Sequence, residues 1–93
     1  MTDLEMIKKC AEQIGIKHRV IDDTYINYYD EGLIWWRGYS PLHDDAQAMA
    51  LVKKFVILIG VDDGYWTAFI PSVGRSIHNK DLNRAIVECV AKM

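Results

Sequence analysis

Two short turns, each made of acidic residues followed by a glycine, constrain this chain more than any other feature of its sequence. They are Asp30-Glu31-Gly32 and Asp62-Asp63-Gly64. Each turn separates stretches rich in β-branched, aromatic and other apolar residues, which favour strands, at 24–29, 33–37, 55–61 and 65–70. Because glycine supplies the positive φ that tight hairpins need, the sequence predicts two β-hairpins.

Three further stretches carry apolar residues at helical spacing, and the sequence predicts helices there, at 3–14, 41–54 and 81–93. Thr2 and Glu5 match a capping box before the first helix, and Ser40-Pro41 is typical of a helix start. The stretch 17–21 is compatible with an extended lead-in, which the sequence leaves open, and a polar loop is expected at 74–80. The predicted order of elements is α-ββ-α-ββ-α.

The predicted strands include runs in which neighbouring residues are all apolar, at Leu33–Trp36 and Phe55–Ile59. Successive side chains of a strand point to opposite faces of the sheet, so both faces must be covered along these runs, by helices or by another subunit. We therefore expect an α+β fold in one domain, residues 1–93. Its four-stranded sheet, antiparallel or mixed, should be packed with helices on both faces.

Charge and composition argue against several classes of protein. The net charge is −2, the pI is about 5.8 and the 11 lysines and arginines are scattered, whereas nucleic-acid binders usually cluster them. The acidic start, residues 1–5, does not resemble a signal peptide, and no apolar stretch has the length of a bilayer span. The prediction is a cytoplasmic protein without membrane contact.

Motifs for catalysis or for metal binding are not found in the sequence. His18, His43 and His78 lie in separate segments without the spacing of a metal site. The acidic pairs fall at turns and helix starts, where aspartate has a structural role, so a hydrolase using two carboxylates is a weak alternative. We therefore predict no catalytic residues, no metal and no cofactor.

Aromatic residues are concentrated in the first hairpin, within fifteen residues of sequence. The core accounts for about half of them, and the remainder is typical of a binding surface or a dimer interface. The predicted interaction surface consists of Tyr25, Tyr29, Trp35, Trp36, Arg37 and Tyr39. Stacking of single-stranded nucleic acid on this hairpin is an alternative, against which the acidic balance argues.

A second alternative is the binding of a small anion or nucleotide by the polar segment Gly74–Asp81. This segment precedes the last predicted helix, and backbone amides at a helix N-terminus attract anions. Arg75, Ser76 and His78 are the candidate binding residues. An ordinary surface loop explains the same residues.

Three segments resemble small phage and prophage proteins of the phage α/β/α-sandwich type. They are Tyr39-Ser40-Pro41-Leu42-His43-Asp44-Asp45-Ala46-Gln47-Ala48, Trp66-Thr67-Ala68 and Leu82-Asn83-Arg84-Ala85-Ile86-Val87. The resemblance covers roughly residues 33–93 and an N-terminal helix. It implies a sandwich fold and a phage or bacterial origin, and it supplies no catalytic residues. The resulting hypothesis is a non-enzymatic accessory or interaction module that forms a homodimer or binds a host or phage protein.

Overall fold

The computed structural model describes residues 2–20, 26–30 and 35–93. Within these residues the helices are α1 (Asp3–Ile14), α2 (Asp45–Phe55) and α3 (Leu82–Ala91). The strands of the same part of the chain are β1 (His18–Val20), β2 (Ile26–Asp30), β3 (Trp35–Tyr39), β4 (Leu58–Asp62), β5 (Tyr65–Ile70) and β6 (Arg75–Asn79).

The strands of the described ranges form two separate antiparallel sheets, in the orders β1-β2-β3 and β4-β5-β6. Each sheet follows a helix, so the arrangement of a helix and a three-stranded meander occurs twice before α3 closes the chain. The predicted α+β class is confirmed, and the single four-stranded sheet is wrong. The additional strands are β1, within the undecided stretch 17–21, and β6, in the predicted loop 74–80.

The sequence predicts a loop in place of strand β6, because β6 is an edge strand with mostly polar residues. Ile77 is its only aliphatic residue, and it lies opposite Ala68 of β5 on the side that α3 covers. Ser76 and His78 are exposed. An edge strand with one face in solvent needs few apolar positions, so pairing with β5 is sufficient to define it.

The second hairpin turns where the sequence predicts. Asp62 pairs with Tyr65, and between them Asp63 and Gly64 have φ of 52° and 79°. Two successive residues with positive φ define the type I′ turn, whose twist matches that of paired strands. Strands β2 and β3 also pair antiparallel, with Tyr29 opposite Trp36, while the predicted turn 30–32 lies largely outside the described residues.

Local capping fixes the helix ends. The Thr2 hydroxyl accepts a hydrogen bond from the Glu5 N–H at 3.2 Å, which confirms the capping box, and Gly15 ends α1 with φ of 72°. Helix α2 begins at Asp45 and not at Pro41, because the Asp44 carboxylate caps it by accepting from the Gln47 N–H at 3.0 Å.

The core lies around α3, which packs against α1, α2, β5 and β6. Of its predicted apolar stripe, Ala85, Ile86, Cys89 and Val90 are buried, while Leu82 is half-buried and Met93 is exposed. Val87 and Ala91 are buried as well. Helix α1 contributes the buried side chains Met6, Ile7, Cys10 and Ala11. No helix in the described ranges has both the length and the apolar character that a membrane span requires.

Within the described ranges, α3 packs on one face of the sheet β4-β5-β6 and several residues of the other face are exposed, so the predicted helical cover of both faces is not found there. Ala68 and Ile70 of β5 are buried on the side of α3. Tyr65 is exposed, as are Ser76 and His78 on the neighbouring strand. The layer formed by α3 is therefore one-sided.

Candidate functional site

Strand β4 is apolar and entirely exposed. Each of its five residues is accessible to solvent, with Leu58 55 % exposed and Val61 67 % exposed. Val56, just before the strand, is 67 % exposed as well. The exposed apolar side chains of this region, here named the β4 patch, are Val56, Leu58, Ile59, Val61 and Tyr65. Ile59 and Val61 lie on one face of the strand and Leu58 on the other. Exposed apolar surface concentrated in one region often marks a contact surface.

The patch is exposed because the helical layer stops short of β4. Helix α3 packs on β5 and β6, where Ala68 is fully buried. Ile59 lies opposite Ala68 in the register and therefore on the same face of the sheet. It nevertheless remains 36 % exposed. Among the described helices, α3 packs on β5 and β6, and none packs extensively on β4.

The outer edge of β4 also has unused backbone groups. The type I′ turn makes Asp62 and Tyr65 a hydrogen-bonded pair, and such pairs alternate along an antiparallel ladder. The N–H and C=O groups of Asp62, Gly60 and Leu58 therefore face β5, and those of Ile59 and Val61 face outward. In the described part of the chain β5 is the only strand paired with β4, so this edge offers two donors and two acceptors.

Two residues before β4, Val56 adopts an unfavourable backbone conformation. Val56 ends α2 with φ of 53°, in the left-handed region that favours glycine and that a β-branched residue rarely adopts. A non-glycine residue there costs about 1–2 kcal/mol. Since the Val56 side chain is exposed, burial within the chain does not offset this cost.

The predicted aromatic surface is only partly within the described residues. Tyr39 is buried, and with Ile14, Ile16 and Leu51 it lines a cavity of about 210 Å³ between α1 and α2, so it is part of the core. Its neighbourhood is fixed by Gln47, whose side-chain amide donates to the Gly38 carbonyl at 2.8 Å. Tyr25 and the side chains of Tyr29, Trp35, Trp36 and Arg37 lie outside the described residues, and their role stays a prediction.

The candidate anion-binding residues do not converge on one site. Arg75 and Ser76 are adjacent in a strand and therefore point to opposite faces, while His78 shares a face with Ser76. The N-terminus of α3 is occupied by the chain itself, since the Asp81 carboxylate accepts from the Arg84 N–H at 3.3 Å. A carboxylate at that position repels the anion that a free helix N-terminus would attract.

A groove of about 540 Å³ lies between the starts of α2 and α3, with apolar walls that include Leu42 and Ile86. Across it the Asn83 amide donates to the Asp45 carboxylate at 2.8 Å. The acidic caps of both helices make its polar rim unsuited to phosphate. In ranges 2–20, 26–30 and 35–93, no group of His, Cys, Asp and Glu side chains is arranged to hold a metal ion.

The two cysteines are buried, and their thiols are poorly reactive. Burial raises the pKa of Cys10 to about 12, and the Cys10 thiol donates to the Val87 carbonyl at 3.5 Å. Burial also raises the pKa of Cys89, although the Arg75 charge opposes the shift. A thiol that keeps its proton at neutral pH is a poor nucleophile. Both residues therefore serve the core, as their positions on helical stripes indicate.

Comparison of the chain with protein-family models, with curated proteins and with solved structures finds no match. The β4 patch is thus defined by geometry alone. Its sequence signature is the unbroken apolar run at Phe55–Ile59, which indicates that both faces of the strand require cover.

Proposed function

We propose that this chain is a protein-interaction module, without enzymatic activity, that binds its partner along the open edge of β4. The observation that carries the proposal is the coincidence of the β4 patch with the outward backbone groups of Ile59 and Val61. A strand added to such an edge gains main-chain hydrogen bonds, and the flanking apolar side chains supply specificity.

Protein edges that stay in solvent are usually protected. Lysine, proline, a bulge or an inward-pointing charge blocks the approach of another strand. From Leu58 to Val61 strand β4 has none of these residues, and its ladder with β5 is regular. By contrast, the outer strand β6 of the same sheet carries Arg75 and His78, which are exposed and polar. The edge at β4 is therefore open to another strand, whereas polar side chains protect the edge at β6.

The resemblance of residues 39–48 and 82–87 to small phage and prophage proteins supports a role for the module in a phage or prophage. We propose that it acts in the cytoplasm of the bacterial host, on a second copy of itself or on a host or phage protein. Acidic composition favours such protein contacts over nucleic acid.

Site-specific photo-cross-linking in bacterial cells tests this function. A photoreactive amino acid replaces Val61 in one variant and Val73 in a control variant, since Val73 is 52 % exposed in the turn between β5 and β6. We expect a cross-linked protein of defined mass from position 61, identified by mass spectrometry, and none from position 73. Equal adduct patterns from both positions, or no adduct from position 61, would refute an interaction at β4.

A further inference from the structure

We infer that the occupant of the β4 edge is β4 of a second copy, paired antiparallel about a two-fold axis that passes through Gly60. This inference rests on the proposed interaction at β4 and names its partner. The result is a continuous six-stranded sheet in the order β6-β5-β4-β4-β5-β6, with the α3 helices of both copies on the same face.

The outward backbone groups are spaced for this pairing. With Gly60 opposite Gly60, Ile59 of each copy lies opposite Val61 of the other. Both are the residues whose N–H and C=O groups face away from β5, so each such pair exchanges two hydrogen bonds and the interface gains four. The register that pairs the outward N–H and C=O groups of Ile59 and Val61 is therefore also the symmetric register.

Nothing in the described ranges requires glycine at position 60. A Cβ atom built there meets nothing within 4 Å, and its φ lies outside the positive range that favours glycine. Glycine inside a strand is unfavourable, and it often marks a place where another backbone approaches closely. On the proposed axis Gly60 forms a non-hydrogen-bonded pair with its own copy, where the Cα atoms of an antiparallel ladder come closest, to about 4.5 Å.

The charges that flank the strand are self-complementary. Lys53 and Lys54 precede the apolar segment, and Asp62 and Asp63 follow it. None of these four residues forms an ion pair within the described ranges. Lys53 and Lys54 lie in the last turn of α2, so antiparallel pairing sets the end of β4 that follows this basic turn toward the acidic end of the other strand. Such exposed charges add little affinity but select orientation, and a parallel arrangement would bring like charges together.

The side chains support the same arrangement. Ile59 and Val61 share the face of the sheet that α3 covers further along, because they lie opposite Ala68 and Trp66 of β5. In the pair of copies, two Ile59 and two Val61 side chains meet there as one apolar cluster between the two α3 helices. Pairing thus removes part of the Ile59 and Val61 surface from water.

A pair of double variants with equal loss of apolar surface tests the register. Ile59→Lys with Val61→Lys sets lysine opposite lysine in both cross-strand pairs, whereas Ile59→Glu with Val61→Lys sets glutamate opposite lysine. We expect sedimentation velocity to show a wild-type dimer at high micromolar concentration. The dissociation constant of the lysine–lysine variant should exceed that of the glutamate–lysine variant by about tenfold. Equal dissociation constants would overturn the register.

Gly60→Cys provides a test that does not depend on those variants. A Cα separation of about 4.5 Å lies within the range for a disulfide, so mild oxidation should link the two copies through position 60. Val73→Cys is the control and should remain unlinked. A wild type that stays monomeric, or equal linking of both variants, would overturn self-pairing. If position 61 then still cross-links a different protein in cells, the interaction function stands and only the second copy is excluded as partner.

Discussion

Helix α3 and strand β4 are both apolar in sequence, yet the fold treats them in opposite ways. Six of the ten residues of α3 are buried, and all five residues of β4 are exposed. Helix α3 lies among α1, α2, β5 and β6, whereas β4 has β5 on one side and no strand of the described ranges on the other. An apolar segment needs cover from solvent, but its sequence does not show whether its own chain or another chain provides that cover.

The largest expected difference between the two regions is in stability. Ile86→Ala removes a buried side chain of α3 and should lower the free energy of unfolding by about 2–5 kcal/mol. Leu58→Ala on β4 should lower it by less than about 0.5 kcal/mol in dilute protein, since Leu58 is exposed. Urea denaturation at low protein concentration measures both. Equal losses would mean that β4 is covered within the single chain.

Alkaline pH tests the enclosure of α3, since Cys89 lies on it and the Cys10 thiol bonds to it at Val87. Burial raises the pKa of Cys10 from 9.0 to about 12, so the folded chain keeps a proton that the unfolded chain releases. This stability is complete below pH 9 and is lost between pH 9 and pH 12, by about 1.4 kcal/mol per pH unit. The raised pKa of Cys89 acts in the same direction.

Urea denaturation at increasing alkaline pH measures this loss, and Cys10→Ala is the control. We expect a shallower fall of unfolding free energy with pH in the control, because one of the two raised thiols is removed. An unchanged slope would show that the Cys10 thiol is accessible to water.

The cap of α3 should affect stability without affecting the β4 edge. Asp81→Ala removes the carboxylate that accepts from the Arg84 N–H, and it should cost about 1 kcal/mol. Asp44→Ala removes the equivalent cap of α2 and should cost a similar amount. Neither change should alter the dissociation constant of the dimer by more than about twofold. Sedimentation velocity checks this, and a large change would mean that the two regions are coupled.

The smallest expected effect separates folding from association most clearly. Val56→Gly relieves a positive φ and should raise the stability of the single chain by up to about 1 kcal/mol. It also removes an exposed apolar side chain of the β4 patch, so it should weaken self-association. A variant that is both less stable and equally associated would contradict the role given to Val56.

Much of this fold could be predicted from local pattern. The stripes of α1 and α3 and the Asp63-Gly64 turn depend on spacing, capping and backbone preference, which neighbouring residues determine. The division into two sheets could not be predicted, because the pairing of distant strands has no local signature. Strand β6 was missed for a related reason, since its polar residues define a strand only next to β5.

The candidate site was partly predictable. The apolar run at Phe55–Ile59 indicates that both faces of a strand need cover, by helices or by another subunit. Whether a helix of the same chain covers that strand depends on tertiary packing, which local sequence does not determine. The density of aromatic residues instead predicts an interaction surface on the first hairpin, where Tyr39 is buried.

Amide hydrogen exchange along β4, measured by NMR at low and at high protein concentration, tests self-pairing most directly. Pairing about Gly60 predicts that Leu58, Gly60 and Asp62 are protected at both concentrations, because their N–H groups face β5. The amides of Ile59 and Val61 should exchange rapidly in dilute protein and become protected as the concentration rises. Rapid exchange of Ile59 and Val61 at every concentration would contradict pairing of β4 with a second copy.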